Sequence, residues 1–204
     1  GFEFRVHEIQ KVLSSLQRDG VDCLVLKGLP FAMKIYERPH HRPSSDTDVL
    51  IDRSALPLVE GLMGEMGYQK TPDLLFGTVS QQEQFSKEGE NGLEHVFDFH
   101  VELNNRSLLS PFGFDHFSER SEELSIQGCK MRVPKNPEAF ILGALHRVGH
   151  LAKDRRFLWL YDLKLLAVRM YSEDWRLVTI QAERAQCRAL LGQEIVDLAK
   201  MSEE

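Results

Sequence analysis

Arg42-Pro43-Ser44-Ser45-Asp46-Thr47-Asp48-Val49-Leu50-Ile51-Asp52 is the stretch around which the chain is organised. Prolines and serines give way to two carboxylates one residue apart, then to an aliphatic run. A short apolar run behind loop residues predicts a buried strand over 46–52. Alternate side chains of a strand share a face, so Asp46 and Asp48 point the same way, with Cα atoms roughly 6 to 7 Å apart. Paired carboxylates on one strand suit a divalent cation.

Upstream, Val6, Ile9, Leu13 and Leu16 recur at helical spacing, and Gly20 ends that helix, predicted over 5–19. Residues 21–26 form a short apolar run that predicts a buried strand closed by Lys27-Gly28. Leu29, Ala32, Met33 and Tyr36 then define a short helix over 29–36, with Pro30 in its first turn. The segment 37–45 is a polar loop containing Pro39 and Pro43. After the Asp46–Asp48 strand, Ser54 and Gly67 bracket a further helix carrying Leu58, Leu62, Met63 and Met66.

Residues 72–92 are weakly periodic and predict one or two short strands and a mobile loop around Glu88–Gly92. Residues 93–103 alternate plainly: Phe97, Phe99, Val101 and Leu103 occupy one face, and Asp98, His100 and Glu102 the other. A strand pair turning near Gln127-Gly128 is expected over 124–133. Asn136-Pro137-Glu138 is a strong helix start. From there four helices are expected, at 137–152, 156–170, 173–185 and 187–199. The predicted organisation is an α/β domain over 1–133 and a helical domain over 134–204.

Bulk properties set bounds. The 204 residues, 42% hydrophobic, suffice for one sizeable core. A net charge of -6 argues against long nucleic acid as a partner, because phosphate contacts need Lys and Arg. No apolar run approaches the ~20 residues needed to span a bilayer, and no signal peptide is visible. A chain opening on Gly1 leaves room for an upstream start. Cys23, Cys129 and Cys187 are odd in number and far apart, so free thiols in a reducing cytoplasm are expected.

Three strands therefore carry candidate chemistry. If those ending at Lys27-Gly28, carrying Asp46 and Asp48, and carrying Asp98 are neighbours, three carboxylates converge. Such a group holds one or two Mg²⁺ ions (or Mn²⁺) shared with substrate phosphates. The turn at Gly28 lets backbone N–H groups approach a triphosphate. Glu102 competes with Asp98 for the third position. His100 suits either a hydrogen bond to a carboxylate or substrate, or a structural role. His146 and His150 stand at i and i+4 on one helix, but no glutamate adjoins His146, so a structural or substrate-pocket role is favoured over zinc. Asp162 is unusual in an apolar helix and is expected to pair with Arg155, Arg156 or a histidine.

Lys27-Gly28, a helix with Tyr36, then Arg42, Asp46-Thr47-Asp48, Asp98-Phe99-His100 and finally His146 form an ordered set. That set resembles the DNA polymerase β-like nucleotidyltransferases, and more narrowly a bacterial branch reading Lys-Gly, Tyr, Arg-x-x-x-Asp-x-Asp and Asp-x-His. The resemblance covers roughly residues 5–170. Leu29 stands where the superfamily often has Ser, and Val101 where the branch often has an aromatic.

The resemblance implies an α+β fold, with a mixed sheet and a carboxy-terminal helical domain closing one side of a cleft. It implies Asp46, Asp48 and Asp98 as metal ligands and catalytic residues, with Asp98 also able to accept a proton. Lys27, Gly28 and Arg42 would contact the nucleotide, Arg42 bidentately. His100 and His146 are candidate pocket residues. The implied reaction is Mg²⁺-dependent transfer of a nucleoside monophosphate from an NTP to an acceptor hydroxyl, on a small molecule (an antibiotic, for example) or a protein. The alternative is an inactive nucleotide- or partner-binding regulator of the same fold, antitoxin-like.

Overall fold

The structure is a computed structural model, and it describes residues 2–72, 82–89, 92–102, 112–149 and 157–201. The chain runs α1 (Phe2–Arg18), β1 (Cys23–Val25), α2 (Leu29–Ile35), β2 (Asp46–Ile51), α3 (Leu56–Glu65), β3 (Gln69–Lys70), β4 (Gln82–Glu88) and β5 (Glu94–His100). It continues through α4 (Phe114–Glu119), β6 (Ser121–Ile126), β7 (Cys129–Pro134), α5 (Asn136–Gly149), α6 (Phe157–Ala167), α7 (Ser172–Arg184) and α8 (Arg188–Met201). A 3-10 turn at Pro39–His41 lies between α2 and β2.

Five strands make one mixed sheet in the order β1-β2-β5-β4-β3. The β2–β5 pair is parallel, and the other neighbours are antiparallel. β6 and β7 form a separate hairpin, turning at Gln127 and Gly128 as the sequence predicts. Both turn residues have positive φ, 49° and 83°, the combination a two-residue hairpin turn requires.

Strand alternation divides the sheet into two faces with different covers. Val49, Ile51, Phe97 and Phe99 pack with Val6, Ile9 and Leu13 of α1, Val59 and Met63 of α3, and Met131 and Val133 of β7. Phe97 and Phe99 stack at 6.2 Å, and each such buried ring contributes about 1.5–3 kcal/mol. On the opposite face, Leu24 and Leu50 pack with Phe31 and Ile35 of α2, Phe140 of α5, Leu163 of α6, Val178 of α7 and Leu191 of α8. Pro134 closes β7 and Asn136 opens α5, yet residues from both sides of that junction build this second core. The helical segment is thus packed on the sheet face that also carries Asp48, Asp98 and His100.

Several boundaries differ from the sequence expectation. β1 is regular only over Cys23–Val25, although a bond from Leu26 N–H to the Asp48 carbonyl (3.0 Å) extends the pairing by one step. Helix α4 was not expected; it spans six residues and buries one large side chain, Phe117, too little for a periodic signal. Near Glu88–Gly92, the described backbone continues the β4–β5 hairpin, with Glu88 opposite Glu94 and Gly89 N–H bonded to the Leu93 carbonyl. Leu103, His150 and Asp154–Arg156 lie outside the described residues. No helix among the described residues is long and apolar enough to cross a membrane.

Candidate active site

The site begins with register. In the parallel β2–β5 pair, Asp48 stands directly opposite Asp98. Opposed residues of neighbouring strands lie about 4.8 Å apart in the strand-to-strand direction, so the two carboxylates emerge side by side. One pleat further along β5, the His100 ring reaches back and its Nε2 lies 3.0 Å from Oδ1 of Asp48. On the other side, β4 brings Gln84 opposite Asp98, and the Gln84 amide donates to Asp98 Oδ1 at 2.9 Å.

The end of β1 supplies the cation. Extended pairing places Lys27 next to β2, and its Nζ lies 2.6 Å from Oδ2 of Asp48. Gly28 follows with φ 76° and ψ -106°, a backbone state that Cβ-bearing residues rarely adopt. It turns the chain into α2 and admits a close neighbour. A Cβ on Gly28 would stand 2.8 Å from Ser44 Oγ and 3.5 Å from the Asp46 carbonyl. Ser44 Oγ in turn donates to that carbonyl at 2.9 Å. Beside Gly28 opens a cavity of about 260 Å³, lined among others by Arg5, Ala32, Arg42, Ser44 and His95.

Asp48, Asp98 and His100 each offer a donor atom, and these atoms lie within 4.8 Å of one another. The two carboxylates suit a hard divalent cation, with the imidazole beside them suited to a softer one, and the ammonium already drawn to Asp48 shows the field there is cation-seeking. Asp46 stands outside this group. It shares the face but begins β2 opposite Val96, one pleat toward the open end, and it is half-buried. Its charge is felt by Asp98 and by Arg5. Of the three carboxylates expected to converge, the structure brings Asp48 and Asp98 together and adds His100. Glu102, the competing carboxylate, is turned away to an exposed contact with Arg53 at 3.4 Å.

Residues 5–200 match the family model described as uncharacterised nucleotidyltransferase. The chain belongs to this nucleotidyltransferase family. No curated protein matches it by sequence. Among solved structures, the solution structure of the antibiotic-resistance factor ANT(2'')-Ia is similar over 98% of each chain, at 13% identity and TM-score 0.60. A crystal structure of ANT(2'')-Ia in complex with adenylyl-2''-tobramycin is similar over 91% of this chain and 99% of that one, at 14% identity and TM-score 0.60. An antigenic nucleotidyltransferase-like protein from Paracoccidioides brasiliensis matches over 92% of each chain, at 13% identity and TM-score 0.55. At such identities the shared property is the fold, that of the polymerase β-like nucleotidyltransferases.

The electrostatics of this nucleotidyltransferase separate its two central carboxylates. Burial works to raise the pKa of Asp48, but the Lys27 charge and the His100 hydrogen bond outweigh it and hold the carboxyl well below the usual range. Asp98 is shifted upward, chiefly by burial, with the Asp48 charge adding to the shift and the Gln84 hydrogen bond opposing it. Two adjacent carboxyls therefore hold protons with different affinity.

Arg42 was expected to contact nucleotide. The structure gives its Nε and Nη2 to the Asp162 carboxylate on α6, Nη2 at 2.7 Å, with both side chains buried, and Arg42 also lines the cavity beside Gly28. Tyr36 OH donates to the same carboxylate at 2.7 Å. The partner expected for Asp162 was Arg155, Arg156 or a histidine; the described partners are Arg42 and Tyr36. His146 lies on α5 with its ring edge-on to Trp159, centroids 4.6 Å apart, and does not belong to the Asp48–Asp98–His100 group. Gln84 was missed from sequence because its stretch shows no clear period.

Proposed function

We propose that this nucleotidyltransferase is Mg²⁺-dependent (or Mn²⁺-dependent) and moves a nucleoside monophosphate from an NTP to the hydroxyl of a small-molecule acceptor. The observation that carries this is the pairing of Asp48 with Asp98 across parallel strands, beside Lys27 and the Gly28 turn. Asp48 and Asp98 would hold the metal through their carboxylate oxygens, with Asp46 at the rim. The metal would supply charge neutralisation for the phosphates and polarisation of the α-phosphate.

The remaining work falls to this chain's own side chains. Gly28 lets the triphosphate approach the backbone, and Lys27 offers its ammonium to the phosphate oxygens. His100 fixes the orientation of the Asp48 carboxylate. Asp98, with its higher proton affinity, takes the proton of the acceptor hydroxyl. The acceptor oxygen then bonds the α-phosphorus, the bond between that phosphorus and its bridging oxygen breaks, and pyrophosphate leaves. Positioning and charge compensation carry most of the rate, as is usual in phosphoryl transfer. Residues 134–204 would close one side of the cleft.

A small acceptor is favoured over long nucleic acid by the net charge of -6. It is supported by analogy to the similar fold holding adenylyl-2''-tobramycin. We place the protein in the cytoplasm. The test is incubation with each α-³²P-labelled NTP, Mg²⁺ and a panel of hydroxylated acceptors, including aminoglycosides. The proposal expects label in an acceptor product, with unlabelled pyrophosphate released. Metal-dependent nucleotide binding without transfer to any small molecule or protein would point to the regulatory alternative.

A further inference from the structure

We propose that Asp162 is a positioning residue for the nucleotide site. Acting through Arg42, it fixes the loop that holds Ser44 and Asp46 against Gly28. The inference rests on the reading of the site given above.

The chain of contacts is short. Asp162 sits on α6 and accepts from Arg42 Nε at 3.0 Å, from Arg42 Nη2 at 2.7 Å and from Tyr36 OH at 2.7 Å. The Arg42 guanidinium also lies over the Phe31 ring of α2, 5.5 Å from its centroid. Two residues on, Ser44 Oγ donates to the Asp46 carbonyl and fills the space that a Gly28 side chain would need. From the opposite side, Arg5 of α1 donates to the Ser44 carbonyl, and also to the Ser45 carbonyl at 3.0 Å. The four residues 42–45 are therefore gripped by two charged side chains, one from each layer flanking the sheet.

A buried ion pair is seldom the most stable filling for its volume, since an apolar pair of similar size does as well or better. Its distinctive property is direction. A side-on guanidinium–carboxylate pair fixes distance and plane together, and the tyrosine hydroxyl fixes the carboxylate. The pair stands where the loop must stay in register with a glycine turn that has no room to spare. The pair occupies two of the five N–H donors of Arg42 and so fixes the guanidinium in one orientation, through which it holds the loop.

The test uses the full chain. Calorimetry with each of the four NTPs and Mg²⁺ identifies the tightest, which is then titrated into Asp162→Asn, Arg42→Lys and Tyr36→Phe below their unfolding temperatures. Mn²⁺ alone is titrated in parallel by electron paramagnetic resonance. Loss of an outer-shell partner that orients a contacting group typically costs about 10- to 100-fold in affinity or activity. Asp162→Asn is therefore expected to raise the nucleotide Kd by about tenfold or more, while Mn²⁺ affinity stays within about twofold. Arg42→Lys keeps the charge but loses the fork and is expected to weaken nucleotide binding similarly, with Tyr36→Phe weaker in effect. A purely structural pair would lower the unfolding temperature and leave both Kd values unchanged, which overturns the proposal. A direct phosphate clamp would show loss in Arg42→Lys with Asp162→Asn unchanged, and that also overturns it. Should Asp162→Asn fail to fold, Arg42→Lys and Tyr36→Phe decide: both weakened supports the proposal, both unchanged sinks it. If the wild type binds no NTP, the inference falls together with the proposed function; if the wild type binds and the substitutions leave its Kd unchanged, the inference falls alone.

Discussion

Lys27 places its ammonium 2.6 Å from Oδ2 of Asp48, while His100 holds the other oxygen of the same carboxylate. Asp48 is buried, so its charge depends on these two partners. In the working enzyme Lys27 would divide its attention between this carboxylate and the phosphates, which makes it a link between metal and nucleotide.

Replacing Lys27 by Met tests that link through stability. Leaving a buried carboxylate without its counter-charge costs about 3 kcal/mol at neutral pH. The sign follows from the depressed pKa of Asp48. The unfolded carboxyl, near 3.9, binds a proton before the folded one does. The stabilisation is therefore complete above that value and is lost as pH falls toward the folded value. Urea unfolding of wild type and Lys27→Met should show the full gap at pH 7 and a narrowing gap as pH falls to 4 and below. A gap independent of pH would contradict this account of Asp48.

Gly28 is held by backbone geometry and by a neighbour at once. A Cβ there meets both an unfavourable φ of 76° and Ser44 Oγ at 2.8 Å. Gly28→Ala should destabilise by about 1–3 kcal/mol from the backbone alone. The contact with Ser44 adds a component that Ser44→Ala relieves. In a double-mutant cycle, the pair should cost less than the sum of the singles. Strict additivity in chemical denaturation would mean that Ser44 does not press on residue 28.

The Arg42–Asp162 pair gives a third prediction, now for stability rather than binding. Asp162→Ala leaves a buried guanidinium and should cost about 3–5 kcal/mol. The paired replacement Arg42→Met with Asp162→Leu should recover most of that loss, because two buried charges leave together. Thermal unfolding followed by circular dichroism checks the order of the three proteins. A double variant as unstable as the single would show that the charges themselves hold the fold.

Much of the site was legible in sequence because it is written in strand alternation. Phe97 and Phe99 against Asp98 and His100, and Val49 and Ile51 against Asp48, declare which face carries the carboxylates. Lys27-Gly28 was legible because a strand end and a helix start leave few residues that make such a turn. What could not be read was pairing. Nothing local states that β2 and β5 run parallel with Asp48 opposite Asp98, or that His100, rather than Asp46, completes the close group. Arg42 and Asp162 are 120 residues apart, so no local pattern pairs them. Gln84 lies in a strand whose outward residues are polar on both faces, Gln82, Glu83, Gln84 and Ser86, leaving Phe85 as its one buried side chain.

The central claim is that Asp48 and Asp98 form a metal-dependent nucleotide site. The most direct measurement is calorimetric titration of the four NTPs into wild type, Asp48→Asn and Asp98→Asn, each with and without Mg²⁺. The account predicts that the wild type binds an NTP strongly only with Mg²⁺, and that either substitution removes the Mg²⁺-dependent part. Asp46→Asn, altered at the rim of the group, should lose less. Equal binding by wild type and both variants, with and without Mg²⁺, would contradict it.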